Sequence, residues 1–67
     1  MDRDVHARFL RYREAFAYFA LAGRKQLGPD EFERFDAEQR ALDQKGAART
    51  DEEEIRFAEL NVVLFRD

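Results

Sequence analysis

Residues 50–67 read TDEEEIRFAELNVVLFRD, and the placement of apolar residues along this stretch decides what kind of fold the chain can adopt. Thr50 followed by Asp51, Glu52 and Glu53 is a helix start. Its hydroxyl can accept from the Glu53 amide while the Glu53 carboxylate reaches back to the Thr50 amide. The carboxylates of Asp51 to Glu54 sit where the helix dipole favours negative charge, and Glu52 and Arg56 form an i,i+4 pair. Beyond the cap, at about 100° per residue, Ile55, Ala58, Val62 and Phe65 share one stripe and Phe57, Leu60 and Leu64 share a second. A surface helix needs one apolar face. Two faces predict two neighbours, so this helix is expected between other helices or at a subunit contact. Asn61 falls between the stripes, either as a polar residue that fixes register or oligomeric state or as a groove-edge residue in contact with water.

Working back from there, Gly46-Ala-Ala-Arg49 is a short connection, which turns successive helices back alongside each other. Pro29 marks the start of the preceding helix, because its missing amide would be unpaired at the first helical position anyway. With Gly28 as cap, Leu27 and Phe32 take the positions of a hydrophobic staple. This helix runs to about Lys45, and its apolar edge is narrow: Phe32, Phe35 and Leu42 with Gln39 in line, and Asp36–Arg40 as an i,i+4 pair. At the beginning of the chain, Asp2 or Asp4 can cap a first helix. Val5, Phe9, Tyr12, Phe16 and Phe19 recur at spacings of four, three, four and three, a heptad-like seam. Leu10, Ala17 and Leu21 form a weaker second stripe. The helix ends either at Gly23 in a left-handed cap or further on, near Gln26 and before Gly28.

Sixty-seven residues make one domain, and a chain of this size buries only about 60% of its unfolded surface, so a lone core is marginal. The absence of cysteine excludes a disulfide framework and any thiolate metal site or nucleophile. Small proteins without such staples gain stability by oligomerising, although seven Phe and two Tyr supply large apolar area per residue. No apolar run approaches the roughly 20 residues that span a bilayer. Met-Asp-Arg-Asp lacks the basic-then-apolar pattern of a secretory signal, so a cytoplasmic location is expected. The net charge of −3 argues against general nucleic-acid binding. It is unevenly spread: residues 1–25 carry six basic and three acidic side chains, residues 26–67 six basic and twelve acidic.

Chemistry-bearing constellations are scarce. His6 is the only histidine, and the Glu-x-x-His pairs of a carboxylate-bridged metal site in a helical bundle are missing. Glu31 with Glu38, and Glu52 with Glu59, stand two turns apart on polar faces, where nothing provides the desolvation that splits the pKa values of catalytic carboxylates. There is no serine, and Thr50 is explained by its cap, so nucleophilic catalysis has no candidate. Leu27 and Glu31 could imitate the later positions of a calcium loop, but the early ligand positions would fall on Ala20, Ala22 and Arg24, which offer no side-chain oxygen.

The sequence therefore predicts an all-α, three-helix, up-down-up bundle over a single domain, residues 1–67, with helices at about 4–23, 29–45 and 50–66. The third helix is expected to contribute most to the core, and dimerisation would complete the bundle. The expected function is a non-enzymatic protein–protein interaction or regulatory module that self-associates as a symmetric dimer, with no catalytic residue, cofactor or metal. The expected interface is Leu10, Ala17 and Leu21 on the first helix with Phe57, Leu60, Asn61 and Leu64 on the third. A contact with a further, anionic partner would use Arg8, Arg11, Arg24 and Lys25. The alternative is a nucleic-acid-associated regulator using this arginine-rich first helix, since guanidinium beside an aromatic can stack on bases and contact phosphates.

Overall fold

The computed structural model describes residues 1–19 and 23–66, which form three α-helices: α1 (Arg3–Phe19), α2 (Pro29–Lys45) and α3 (Asp51–Val63). A single 3-10 turn, Gly46–Ala48, links α2 to α3. The all-α three-helix bundle read from the periodicities is the fold of the chain.

Each helix starts as its local sequence dictates. Asp2 caps α1, its Oδ1 accepting from the Val5 amide at 3.0 Å. Pro29 opens α2 behind an extended Gly28, whose carbonyl accepts from the Phe32 amide at 2.9 Å. Leu27 is half-buried and packs on the core that contains Phe32, as a staple requires. The capping box of α3 is complete: the Glu53 amide donates to Thr50 Oγ1 at 3.2 Å and the Thr50 amide donates to Glu53 Oε1 at 3.0 Å.

The end of α3 differs from the expected one, and of the two ends open for α1 the later is ruled out. Residues 24–28 are not helical and Gly23 has φ +89°, so α1 does not continue to Gln26; its expected last turn falls on residues 20–22, outside those described. The connector is instead pinned by the Leu27 amide, which donates to the Tyr12 hydroxyl at 3.0 Å. At the other end, α3 stops at Val63. Phe65 takes φ +58°, the Phe65 amide donates to the Val62 carbonyl at 3.3 Å, and the Arg66 amide donates to the Asn61 carbonyl at 2.7 Å. These are the two bonds of a Schellman turn, with a phenylalanine in the left-handed position that usually belongs to glycine. The turn removes Phe65 from the Ile55–Ala58–Val62 stripe and lays its ring against Tyr12 (5.9 Å between centroids) and Phe16 (6.4 Å).

The helix with two neighbours is α2, not α3. It packs against both other helices, and α1 and α3 do not approach each other along their lengths. One face of α2 carries Phe32, Asp36, Gln39 and Leu42, all buried. Phe32 is fully buried at the centre of a cluster with Val5, Phe9, Tyr12 and Leu64, and its ring lies 5.2 Å from Phe9 and 5.4 Å from Tyr12. The expectation that α3 dominates the core is thus corrected: within α3 only Leu60 is buried, with Leu64 just past its end. Only one of its two stripes has a neighbour. The result is a flat molecule, with Cα extents of 33 × 29 × 16 Å and a radius of gyration of 12.3 Å, against about 11 Å for a compact chain of this length.

Candidate functional site

A polar network crosses the core. Asp36, 1% exposed, receives Arg8 Nε and NH2 at 2.9 Å each and Arg66 NH2 at 2.6 Å. Arg66 NH1 donates to Gln39 Oε1 at 2.8 Å, and Gln39 Nε2 donates to Asn61 Oδ1 at 2.9 Å. The chain runs from α1 through α2 to α3, and the left-handed residue at 65 is what sends Arg66 back into it. Burial alone would raise the Asp36 carboxyl, but the hydrogen bonds from Arg8 and Arg66 outweigh it and hold the group below the usual aspartate range. No buried side-chain nitrogen or oxygen among the described residues is left without a partner. The expected Asp36–Arg40 pair is replaced by these contacts. The signal available in the sequence was that Asp36 shares the spacing of Phe32 and Gln39 on the face of α2 read as apolar.

A cleft of about 250 Å³ opens beside the network, lined by Arg8, Arg11, Tyr12, Phe65 and Arg66 together with Ala15 and Leu64. It brings together two of the four cations assigned to an anionic partner and separates the other two. Arg8 is engaged by Asp36. Arg24 lies over the Phe65 ring at 4.9 Å and donates to the Val62 carbonyl at 3.3 Å. Lys25 is exposed on the connector. Arg66, which the sequence reading passed over, is the third guanidinium of the cleft. Its two described partners, Asp36 and Gln39, make it a structural cross-link.

The expected interface divides between inside and outside. Leu60 and Leu64 are buried within the chain's own core at 1% and 3% exposure, so they are not available to a second subunit. Their stripe is the one that faces α2 and the α1 aromatics. Phe57 is half-buried, with the Arg49 guanidinium 4.1 Å above its ring. Asn61 is half-buried and held by Gln39, a register contact within the monomer. Leu10 and Ala17 are exposed, as an interface requires, and Leu21 lies outside the described residues.

The stripe left outside on α3 is the opposite one. Ile55 is 63% exposed, Val62 53%, and Ala58 between them is exposed as well. Together with Arg56, Glu59 and Val63 they line an open apolar hollow. Arg56 is held beneath it by Glu38, with Nε and NH2 at 2.7 and 2.9 Å from the two carboxylate oxygens, rather than by Glu52. These contacts push Arg56 up and Glu38 down from their ordinary values, each mainly through the shared hydrogen bonds. A second exposed apolar group, Tyr18 and Phe19, closes the last described turn of α1.

Fold and surface together define a small all-α protein whose exposed apolar stripes are its most developed surface feature. No protein-family model, no curated protein and no solved structure matches the chain. Among the described residues, no helix is long and apolar enough to cross a membrane.

Proposed function

We propose that this protein is a non-enzymatic interaction module that acts by self-association. The observation that carries this reading is the outward stripe Ile55–Ala58–Val62, an apolar row at spacings of three and four on a helix whose other stripe already fills the core. Contiguous exposed apolar surface rimmed by polar residues is the feature by which interaction sites are recognised. The flat shape and the small core add to it, since a 67-residue layer gains burial most readily by stacking against another layer. Leu10 and Ala17 on α1 supply the second exposed edge.

Sedimentation velocity or light scattering from micromolar to near-millimolar concentration tests the reading. The expected outcome is a mass that climbs above the 8.0 kDa of one chain as concentration rises. A monomer over the whole range overturns it.

A further inference from the structure

The exposed faces of α1 and α3 are written in the same spacing with opposite charge. On α1, Arg3, His6, Leu10, Arg13 and Ala17 follow one another at intervals of three, four, three and four, and all five are exposed. On α3, Asp51, Ile55, Ala58 and Val62 follow at four, three and four, again all exposed, and the exposed Glu52 and Glu59 flank them. Intervals of three and four are those of a packed helix–helix seam. The α1 seam is apolar with Arg3 and Arg13, with Glu14 at its edge; the α3 seam is apolar with Asp51, Glu52 and Glu59, with Arg56 at its edge. Within one molecule they cannot meet, because both helices pack on α2 and not on each other.

We infer that self-association is head-to-tail: the α1 seam of one copy docks on the α3 seam of the next. This rests on the self-association proposed above and adds which surfaces meet. Leu10 and Ala17 stand seven residues apart, as do Ile55 and Val62, so with the helices antiparallel Leu10 meets Val62, Ala17 meets Ile55 and Arg13 falls opposite Glu59. Glu59 is held only by Arg56 NH1, at 3.5 Å, and Arg13 has no carboxylate partner among the described residues. Pairing α3 antiparallel to α3, with Ile55 against Val62, brings the two Glu59 side chains close together, whereas pairing α1 antiparallel to α1, with Leu10 against Ala17, sets Arg13 level with Glu14 but matches a single large apolar side chain only with an alanine. Like charges across an interface cost affinity and suppress the wrong pairing. Where the two seams of one copy meet different neighbours, this contact closes into a ring or runs on as a filament; where one neighbour meets both, it forms a two-fold dimer.

Complementation between two half-disabled variants tests the pairing. Leu10→Glu removes the α1 seam and leaves α3 intact; Val62→Lys removes the α3 seam and leaves α1 intact. Both positions are exposed, so helix content by circular dichroism should match the parent; Ala17→Glu and Ile55→Lys replace either variant if it does not. Each variant alone is expected to stay at 8.0 kDa, while an equimolar mixture forms a one-to-one complex of twice that mass and no larger, because each partner retains a single working seam. Raising sodium chloride from about 0.05 to 0.5 M should weaken that complex, since the screening length of exposed charges falls from about 14 to about 4 Å over this range. A mixture that stays monomeric while the parent associates overturns the head-to-tail pairing and leaves self-association standing. A parent that never associates overturns both.

Discussion

Asp36 carries the largest single-residue consequence in the molecule. It is a buried carboxylate with arginines from positions 28 residues before it and 30 after it. Removing one partner of a buried ion pair typically costs 3–5 kcal/mol. Because the Arg8 and Arg66 side chains are still 23% and 21% exposed and can turn to water, Asp36→Ala should lie at the low end, about 3 kcal/mol by urea unfolding. Arg40→Ala, on the solvent side of the same helix, should stay within about 0.5 kcal/mol. The same carboxylate sets an acid limit. Its native pKa is depressed, so its contribution is fully present above the ordinary aspartate value of about 3.9 and is lost as pH falls through the lower native value. Glu38, depressed by its hydrogen bonds with Arg56, acts in the same direction. Unfolding free energy is therefore expected to be level between about pH 7 and 5.5 and to fall below about pH 4.5, with a shallower fall in Asp36→Asn. The spacing of Asp36 with Phe32 and Gln39 marks its burial, but its partners were not readable from the local pattern. A pair 28 residues apart leaves no periodicity, and the i,i+4 neighbour Arg40 offered a nearer, incorrect partner.

At the scale of the helix, the start signals transferred directly to the structure because they are local chemistry. Pro29 after Gly28 and the Thr50–Glu53 box each need only a few residues to act, and both helices begin where those residues stand. Thr50→Ala should cost about 1 kcal/mol through the lost cap, checked as a drop in the unfolding midpoint that Glu52→Ala, outside the box, does not reproduce. What the sequence could not decide was which stripe of α3 faces inward. Both stripes are apolar, and the choice depends on α2, whose buried face combines two apolar residues with Asp36 and Gln39 and so reads as weaker than it is. Paired truncations expose the answer. Leu60→Ala should cost about 2–5 kcal/mol, as burial and cavity formation demand. Ile55→Ala, on a side chain already 63% exposed, should change the stability of the monomer by less than about 1 kcal/mol. Equal losses at the two positions would reverse the assignment of inside and outside.

For the whole molecule, three helices in a thin layer with a polar network through the middle leave little apolar burial per residue. The aromatic cluster of α1, Phe32 and Phe65 forms the core, Leu42 and Leu60 are buried outside it, and Ile55, Val62 and Leu10 remain in water. If copies of the native state bind each other through those faces, folding and association are linked, and stability becomes a function of concentration. Well above the dissociation constant, a tenfold increase in protein adds up to about 1.4 kcal/mol per chain. For a domain of this size, 1 kcal/mol shifts the melting temperature by about 4–8 °C. Thermal unfolding of the parent should thus move upward by several degrees per decade of concentration, whereas Leu10→Glu and Val62→Lys, each measured alone, should melt at a fixed temperature. Concentration-independent melting of the parent would mean that the exposed stripes contribute nothing to the native state, and that the aromatic cluster and the Arg8–Asp36–Arg66 network hold the layer together unaided.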